Sequence, residues 1–368
     1  MALQGKGIMI WKIKDCEGGN PAAIAKTAVN MGLTHVMLKI ADSRYAYNID
    51  KTTNTDLIPP LAQALRAKGL QVWGWHYVYG YDPIGEADIA IKQVKNSNLD
   101  GYVIDAEVEY MQAGRDAVAR TFMTRLRKSL PSLPVAVCSF RFPTYQPTFP
   151  WKAFLEKCDY NMPQVYWMQA HNAGDQLARS LKEFKAITPF RPLVPVGPAF
   201  TEAGWTPTAA ELKEFMKTAQ NLGMPGVDFF SWDECQYRHP TLWSAIGGYS
   251  WPVSAPEKTP PQALIAALNT RDAAAVAALY APNAVHVTAE RTVQGSAEIQ
   301  AWYTQFLRTL FSGGTFELTS SSGEDPTHHL TWRGTTPRSK IENGKDTLGM
   351  LNGKIAYHYS SFTISPSS

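Results

Sequence analysis

The sequence predicts an α/β protein in which one (β/α)8 barrel is followed by a smaller α+β domain. Apolar, β-branched runs alternate with segments of helical period through about the first 250 residues, as in repeated strand-helix units around a parallel sheet. Eight such units fit the usual length of a closed barrel, and no GxGxxG motif follows the first strand, as an open dinucleotide-binding sheet would carry. A proline-rich stretch then precedes a region whose helices come before its strands.

The barrel prediction depends on eight short apolar runs. These predicted strands cover residues 7–13, 34–40, 70–78, 101–107, 134–140, 159–167, 191–197 and 226–232. Amphipathic segments between them predict helices over 20–31, 55–68, 84–97, 113–129, 151–157, 174–186, 208–221 and 240–246. Asn20-Pro21, Asp82-Pro83 and Thr206-Pro207 support three of the starts, since proline is well tolerated in the first helical turn.

Composition shifts divide the chain into a barrel over 1–249, a linker over 250–261 and a second domain over 262–368. The linker sequence, SWPVSAPEKTPP, is rich in proline and small polar residues. In the second domain, the helices PPQALIAALNT and AAAVAALYA lead to a strand at 284–288, a helix at 296–311 and strands at 314–321, 327–334, 345–351 and 354–364. Asn352-Gly353 is typical of the two-residue turn of a hairpin.

The second domain resembles the SnoaL-like branch of the nuclear-transport-factor-2-like superfamily. The likeness lies in the segments LIAALNTRDAAAVAALYAPNAVHV, VQGSAEIQAWYTQFL and DTLGMLNGKIAYHYSSFTI. It implies a cone-shaped fold that hosts enzymes, binding modules and dimerising modules alike, so a homodimer through this domain is one option. The candidate pocket residues are Tyr280, His286, Trp302, Trp332 and His358, and the alternative is an aromatic core without a ligand.

Charge and cysteine usage exclude several classes of protein. The 35 basic and 32 acidic residues give a net charge of +3 without a long run of one sign, so no nucleic-acid partner is expected. The four cysteines form no CxxC pair, and we expect neither a metal nor a cofactor. No apolar run is long enough for a transmembrane helix, and the N-terminus shows no signal peptide, which leaves the location in the cell unassigned.

Carboxylates at the end of the fourth strand are the main candidates for chemistry. In YVIDAEVEY, residues two apart share a face, so Asp105 and Glu107 should project together, and Glu109 is a third candidate for the same face. They follow the apolar lead-in GYVI at the carboxyl end of the strand, where barrel enzymes place their active sites. Two close acids tend to separate in pKa, which leaves one protonated as a general acid requires. The alternative is a salt-bridged cluster on the rim of the barrel.

The barrel resembles glycoside hydrolase family 25 and, more loosely, the family 18 chitinases. Asp105-Ala106-Glu107 matches their Asp-x-Glu motif, and WHYVYG followed by Glu86-Ala87 matches an aromatic strand end before a helix start. The resemblance implies that Glu107 is the proton donor and Asp105 its orienting partner. It also implies that Gln164 and Tyr166, in MPQVYW, lie at the N-acetyl group of the sugar.

The first strand departs from the family 25 pattern, because Trp11 and Lys12 stand where that family has an aspartate. The group that completes the reaction therefore stays open. Two routes are open: internal attack by a substrate N-acetyl group held by Tyr166, or activation of water by another carboxylate. The candidates for that carboxylate are Asp42, Glu109, Asp233 and Glu234.

Aromatic residues at strand ends are candidates for sugar binding. Tyr77 or His76 is expected at the barrel mouth, whereas Trp73 of the same strand is expected in the core. Trp167 and Trp232 are predicted stacking platforms, because an indole can cover the apolar face of a pyranose; packing on the rim is the alternative for each.

The leading interpretation is a glycosidase acting on a glycan that contains N-acetylhexosamine, such as peptidoglycan or chitin, with an accessory second domain. The alternative is a barrel that binds carbohydrate or serves as a scaffold without turnover, while the second domain dimerises or binds a small ligand. A third option places isomerase or cyclase chemistry in the second domain, but no acid-base pair is evident there.

Overall fold

The chain divides into two compact units, Met1–Val253 and Ser254–Ser368. The computed structural model describes residues 3–252 and 258–367. The predicted linker over 250–261 therefore falls partly outside the described residues. In the described ranges, no helix is both long enough and apolar enough to cross a membrane.

Eight parallel strands of the first unit close into a barrel, as predicted. Successive strands are neighbours in the sheet, and the first strand pairs with both the second and the eighth, which completes the ring. In chain order they are β1 (Gly5–Ile10), β2 (His35–Asp42), β3 (Gln71–Val78), β4 (Gly101–Ala106), β5 (Val135–Phe140), β6 (Tyr160–Gln164), β7 (Val196–Pro198) and β8 (Gly226–Phe230). All eight carboxyl ends meet at one mouth of the barrel.

Helices follow the strands around the outside of the barrel. They are α1 (Pro21–Asn30), α2 (Ile58–Arg66), α3 (Pro83–Ser97), α4 (Arg115–Ser129), α5 (Trp151–Leu155), α6 (Ala173–Lys185), α7 (Ala209–Asn221), α8 (Trp232–Arg238) and α9 (Pro240–Gly247). The Asn20 side chain caps α1, and Asp82 caps α3 ahead of Pro83, so two of the predicted starts are observed. Thr208 and Glu211 form a reciprocal capping box at α7.

Alternation along the strands separates an inner core from an outer one. Trp73 and Trp75 of β3 and Val103 of β4 belong to the cluster inside the barrel. Tyr102 and Ile104 of β4 belong instead to the cluster between the strands and the helices. Because the period is two, Asp105 continues the inward series at the end of β4.

Trp73 is fully buried inside the barrel, as expected for a core residue. Its ring takes the space above Gly101, where an added Cβ would lie 2.3 Å from the indole. His35 and Asp228 are also buried and hydrogen-bonded at 2.7 Å, which makes His35 a structural residue. The lower part of the barrel is thus filled, and open space is left at the mouth.

The second unit is an α+β domain with helices before its strands. Its elements are α10 (Pro260–Thr270), α11 (Ala273–Ala277), β9 (Tyr280–Val287), β10 (Thr292–Gln294), α12 (Ser296–Gln305), β11 (Thr315–Glu324), β12 (Thr327–Thr335), β13 (Ser339–Leu351), β14 (Lys354–Ser361) and β15 (Ser365–Pro366). The main sheet has the order β10-β9-β14-β13-β12-β11, and β15 pairs with β13. Asn352 and Gly353, both at positive φ, form the predicted turn between β13 and β14.

Several predicted element boundaries differ from the structure. The strand predicted over 191–197 is reduced to Val196–Pro198, because Pro192 and Pro195 have no N–H to donate to a sheet. Leu193 keeps one isolated bridge to Asn161. The helix predicted over 296–311 is regular only to Gln305 and continues as a π-helical turn over Phe306–Leu310.

Candidate active site

A cavity of about 700 Å³ opens at the mouth of the barrel. It brings together side chains from the ends of many strands and from the loops that follow them. The lining residues are Met9, Trp11, Lys39, Asp42, Trp75, Tyr77, Tyr79, Asp105, Glu107, Cys138, Gln164, Tyr166, Phe200, Thr201, Glu202, Phe230, Ser231, Asp233 and Glu234. We call this space the main cavity. Of the residues predicted for the barrel site, those that lie in it are Asp42, Tyr77, Asp105, Glu107, Gln164, Tyr166, Asp233 and Glu234.

Asp105 and Glu107 are joined by a single amide group. The Gln164 side-chain nitrogen donates to Asp105 Oδ1 at 3.1 Å and to Glu107 Oε1 at 2.9 Å. Asp105 is the last inward-facing residue of β4, whereas Glu107 follows the strand. Gln164 ends β6, two strands away, so the parallel pairing of β4, β5 and β6 places the three groups at the same end of the barrel.

Burial sets the protonation of the carboxyl pair. Burial, and then the neighbouring Glu107 charge, raises the pKa of Asp105 well above its usual value. Burial also raises the pKa of Glu107, and the charges of Glu109 and Glu202 raise it further, although the Gln164 hydrogen bond opposes this. Two coupled carboxyls of this kind titrate as a unit, and the pair keeps a proton at a higher pH than separate carboxyls would.

Aromatic rings form one wall of the main cavity. Trp11 lies 6.2 Å from Phe230 between ring centroids, Phe230 lies 6.1 Å from Phe200, and Phe200 lies 5.2 Å from Tyr166. Trp11 is 38% exposed, so its ring is available to a ligand. The Tyr166 hydroxyl lines the cavity and forms no hydrogen bond with any described residue.

The other predicted carboxylates already have partners. Asp42 accepts from Lys39 Nζ at 2.6 Å, and Glu109 accepts from the Tyr77 hydroxyl at 3.0 Å. Asp233 accepts the Trp11 backbone N–H at 2.9 Å. Glu234 is paired with Arg238 at 3.0 Å. Glu109 is absent from the residues that line the main cavity. Its carboxylate instead accepts the hydrogen bond that fixes the position of the Tyr77 hydroxyl.

Three residues predicted at the mouth are placed elsewhere. His76 is fully buried on the outer face of β3, where it bonds the Tyr102 hydroxyl and the Ser43 carbonyl. Trp167 is fully buried against Trp205 and Phe215, because it has outward parity after β6. Trp232 opens α8 and packs on Trp243. The prediction of sugar contact for His76, Trp167 and Trp232 is therefore wrong.

The structure adds residues that the sequence reading did not select. Trp11 and Phe230 have the inward parity of β1 and β8, so the alternation of those strands was a usable signal. Lys39 lies 4.9 Å from the Trp75 ring centroid and 5.5 Å from that of Trp11. Glu202 comes from the loop after β7, where no periodic pattern marks it.

The candidate pocket of the second unit is filled by its own side chains. The His286 and His358 rings stack at 4.4 Å, and the Trp302 ring lies 4.6 Å from His286. The Tyr280 hydroxyl bonds His358 Nδ1 at 2.6 Å, and each of these four side chains is at most 6% exposed. Trp332 packs separately, on Phe316 and Phe362. The arrangement is that of an aromatic core.

No metal-binding cluster is evident among the described residues. Groups of three or more histidine, cysteine, aspartate or glutamate side chains arranged to hold an ion are absent from 3–252 and 258–367. All four cysteines are free and buried. Burial raises the pKa of Cys138, which lines the main cavity, so this thiol stays protonated.

Comparisons with known proteins agree with the fold of both units. Residues 262–358 match the SnoaL-like domain family, and this part of the chain is a SnoaL-like domain. The chain is 11% identical to a chitinase from Chromobacterium violaceum ATCC 12472, with a TM-score of 0.50 over 68% of this chain and all of that one. An NTF2-like protein of unknown function from Cytophaga hutchinsonii ATCC 33406 is 14% identical, with a TM-score of 0.25 over 30% of this chain and 95% of that one. No curated protein sequence matches the chain.

The likeness to the chitinase, together with the ring of eight parallel strands, shows that the first unit has a TIM-barrel fold. At 11% identity it concerns the fold alone. The chemistry of the main cavity therefore has to be argued from its own residues.

Proposed function

We propose that the barrel is a glycosidase that cleaves a glycan containing N-acetylhexosamine, with Glu107 as the general acid. The observation that carries the proposal is the Gln164 amide that joins Asp105 and Glu107 in an aromatic-walled cavity. Burial raises the pKa of both Asp105 and Glu107, so the pair keeps a proton at a higher pH than separate carboxyls would, and the departure of an alcohol requires such a proton. The chitinase-like fold supports the same class of reaction.

In the first step, Glu107 gives its proton to the glycosidic oxygen as the bond from that oxygen to C1 breaks. The carbonyl oxygen of the substrate's own 2-acetamido group forms the new bond to C1. Tyr166 lines the cavity, and its hydroxyl has no hydrogen-bond partner in the described part of the chain, so it is suited to hold that carbonyl. Asp105, behind Glu107, orients the acetamido nitrogen and stabilises the positive charge that develops there.

In the second step, the Glu107 carboxylate takes a proton from water while the water oxygen attacks C1. The bond between C1 and the acetamido oxygen breaks, and the acetamido group is restored. We favour this substrate-assisted route because Asp42, Asp233 and Glu234 are already held by protein donors. Glu109, bonded to Tyr77, stands outside the cavity lining.

The test is hydrolysis of chitin oligosaccharides by the full chain, measured as new reducing ends. Glu107→Gln keeps the size of the side chain and its bond to Gln164, and it should lower the rate by about 10² to 10⁴ fold. Glu156→Gln, which changes a carboxylate paired with Arg120 outside the main cavity, is the matched control and should keep the activity. Equal product from wild type and Glu107→Gln would refute the proposal.

Cellulose oligosaccharides test the second step separately. They have the same backbone linkage but lack the acetamido group, so the proposed route gives no turnover on them. Binding of chitin oligosaccharides without cleavage by the wild type would favour a carbohydrate-binding barrel instead.

A further inference from the structure

A second, smaller cavity adjoins the main cavity at the barrel mouth. It has a volume of about 250 Å³ and shares Gln164 and Tyr166 with the main cavity. Its other lining residues are Phe140, Arg141, Phe142, Tyr145, Gln146 and Met168. We call it the Arg141 cavity. Because Gln164 bonds Glu107, a glycan cleaved at Glu107 would extend from one cavity into the other.

Arg141 is a half-buried cation without an acidic partner. Its guanidinium donates to the Tyr166 backbone carbonyl, and its Cζ lies 5.1 Å from the Phe142 ring centroid. No carboxylate of the described residues forms an ion pair with it. A guanidinium has five N–H donors, so most of those of Arg141 are left for a ligand. Burial lowers the pKa of Arg141, as expected for a charge that lacks a counter-charge.

Tyr145 provides an exposed ring beside Arg141. It is 58% exposed, yet its position is fixed by Arg179, which donates to its hydroxyl at 2.9 Å. The Arg179 Cζ also lies 4.5 Å from the Tyr145 ring centroid, and Glu183 holds Arg179 at 2.7 Å. A fixed, exposed aromatic ring is a surface on which the apolar face of a sugar can pack.

The two cavities carry opposite charge. Asp42, Asp105, Glu107, Glu202, Asp233 and Glu234 line the main cavity, and Lys39 is its basic residue. Among the residues that line the Arg141 cavity, Arg141 carries the full charge. A carboxylate on a sugar is therefore repelled from the main cavity and attracted to the neighbouring one.

We propose that the Arg141 cavity is a subsite for a sugar that carries a carboxylate, adjacent to the sugar held in the main cavity. The inference rests on the proposed glycosidase function and adds the substrate class, a glycan in which a neutral N-acetylhexosamine alternates with an acidic sugar. Arg141 binds the carboxylate in a bidentate manner while Tyr145 covers the ring. The opposite charges of the two cavities then determine which sugar of the alternating glycan lies in each cavity. Only one of the two kinds of glycosidic linkage is therefore placed at Glu107 and cleaved.

Uronic acids and sugars with a lactyl ether share this carboxylate chemistry. The wild type should therefore be assayed on hyaluronan oligosaccharides, which carry uronic acid, and on peptidoglycan glycan strands, which carry the lactyl ether. Each probe is compared with its own carboxyl-amidated form. Amidation should lower kcat/KM by about tenfold to 100-fold for the probe that fits. Equal kcat/KM before and after amidation for both probes would overturn the proposal.

Substitution of Arg141 tests the residue itself. Arg141→Met should abolish the difference in kcat/KM between the native and amidated forms of the probe. Arg141→Lys should keep part of that difference, because lysine is a cation but lacks the planar guanidinium that binds a carboxylate through two N–H groups. Arg125→Met removes a cation from the outer helix α4, where it is paired with Asp88, and should keep the full difference. A difference that survives in Arg141→Met would refute the assignment.

Equilibrium binding separates this inference from the proposed function. If the wild type cleaves none of the probes, the glycosidase proposal fails, but calorimetric titration with the same native and amidated oligosaccharides still reports on the subsite. Binding of the native form about tenfold or more tighter, lost in Arg141→Met, supports the carboxylate subsite. Equal binding of the two forms overturns it.

Discussion

The barrel mouth and the interior of the second unit both surround ionisable side chains with aromatic rings, but they differ in accessible space. In the barrel, Trp11, Phe200 and Phe230 border a cavity of about 700 Å³ that contains the carboxyl pair. In the second unit, His286 and His358 stack at 4.4 Å and are at most 1% exposed. The same residue types therefore form a candidate site in one region and a core in the other.

The backbone explains this difference. Eight strands hold the barrel open at its mouth, where side chains from opposite strands point inward but do not meet. In the second unit, α12 lies against the sheet, and its Trp302 and Tyr303 rings lie 4.6 Å and 5.5 Å from His286. The aromatic and ionisable residue types alone do not distinguish an open site from a filled core. The packing of the strands and helices around them does.

The largest expected effect is that of Asp105→Asn, which should separate activity from stability. We expect hydrolysis to fall by about 10² to 10⁴ fold, because the carboxyl that shares the Gln164 amide with Glu107 and orients the acetamido group is lost. Thermal stability at pH 7 should rise. The folded pKa of Asp105 is raised above its unfolded value, so its ionisation costs stability as the pH rises above about 4.

Thermal unfolding from pH 4 to pH 8 checks the sign of this effect. The gain of Asp105→Asn over the wild type should be small at pH 4 and should grow toward pH 8. If Asp105→Asn has a lower melting temperature than the wild type at pH 8, the prediction that the buried Asp105 carboxyl lowers stability is wrong.

The next effect, His286→Phe, should stabilise the second unit without loss of hydrolysis. His286 is fully buried, and neither ring nitrogen has a hydrogen-bond partner among residues 3–252 and 258–367. Replacing it with an apolar ring should increase the free energy of unfolding of this unit by about 1–3 kcal/mol, measured by calorimetry of the full chain. A variant that is no more stable than the wild type would contradict the prediction that His286 is a buried histidine whose unpaired nitrogens cost stability.

The pH dependence of the same variant has a defined sign. Burial lowers the pKa of His286 to about 2, so below pH 6.5 the unfolded chain binds a proton that the folded chain does not. Wild-type stability should therefore fall on acidification by up to about 1.4 kcal/mol per pH unit from this group, and His286→Phe should lack this component. Parallel stability curves for the two proteins between pH 6.5 and pH 4 would contradict the prediction.

A smaller effect is expected when the exposed and the buried indoles are compared. Trp11→Ala should raise KM for chitin oligosaccharides by about fivefold to tenfold, since a stacking surface is lost, with little change in melting temperature. Trp167→Ala should instead destabilise the barrel by about 3–5 kcal/mol, because its ring fills the outer core. An unchanged KM in Trp11→Ala would remove Trp11 from the binding surface.

The sequence predicts those parts of the site that lie on regular strands. Asp105 and Gln164 face the same interior because alternation within β4 and β6 can be read directly, and both strands were located. The same alternation, continued beyond β6, places Trp167 on the outside of the barrel, where its ring is buried. Trp232 is different, since the sequence does not show that β8 ends at Phe230 and that a helix begins at once.

The remaining residues depend on loops and on tertiary placement. Arg141 and Glu202 follow β5 and β7, respectively, where no periodic pattern gives the direction of a side chain. The identification of the second unit as a SnoaL-like domain is confirmed, but the order of its elements does not show that its interior is filled. That depends on ring contacts between α12 and the sheet.

The smallest expected effect, that of Glu202→Gln, bears on how the reaction is completed. Glu202 is an exposed carboxylate that lines the main cavity, and its charge raises the pKa of Glu107. Without that charge the pKa of Glu107 falls, so the alkaline limb of the pH profile of kcat/KM should move to lower pH by less than about one unit. The maximal rate should change by less than about threefold, because the acetamido group and not Glu202 supplies the nucleophile. A loss of about 100-fold would instead identify Glu202 as the base that activates water, and cleavage would then extend to glycans without an acetamido group.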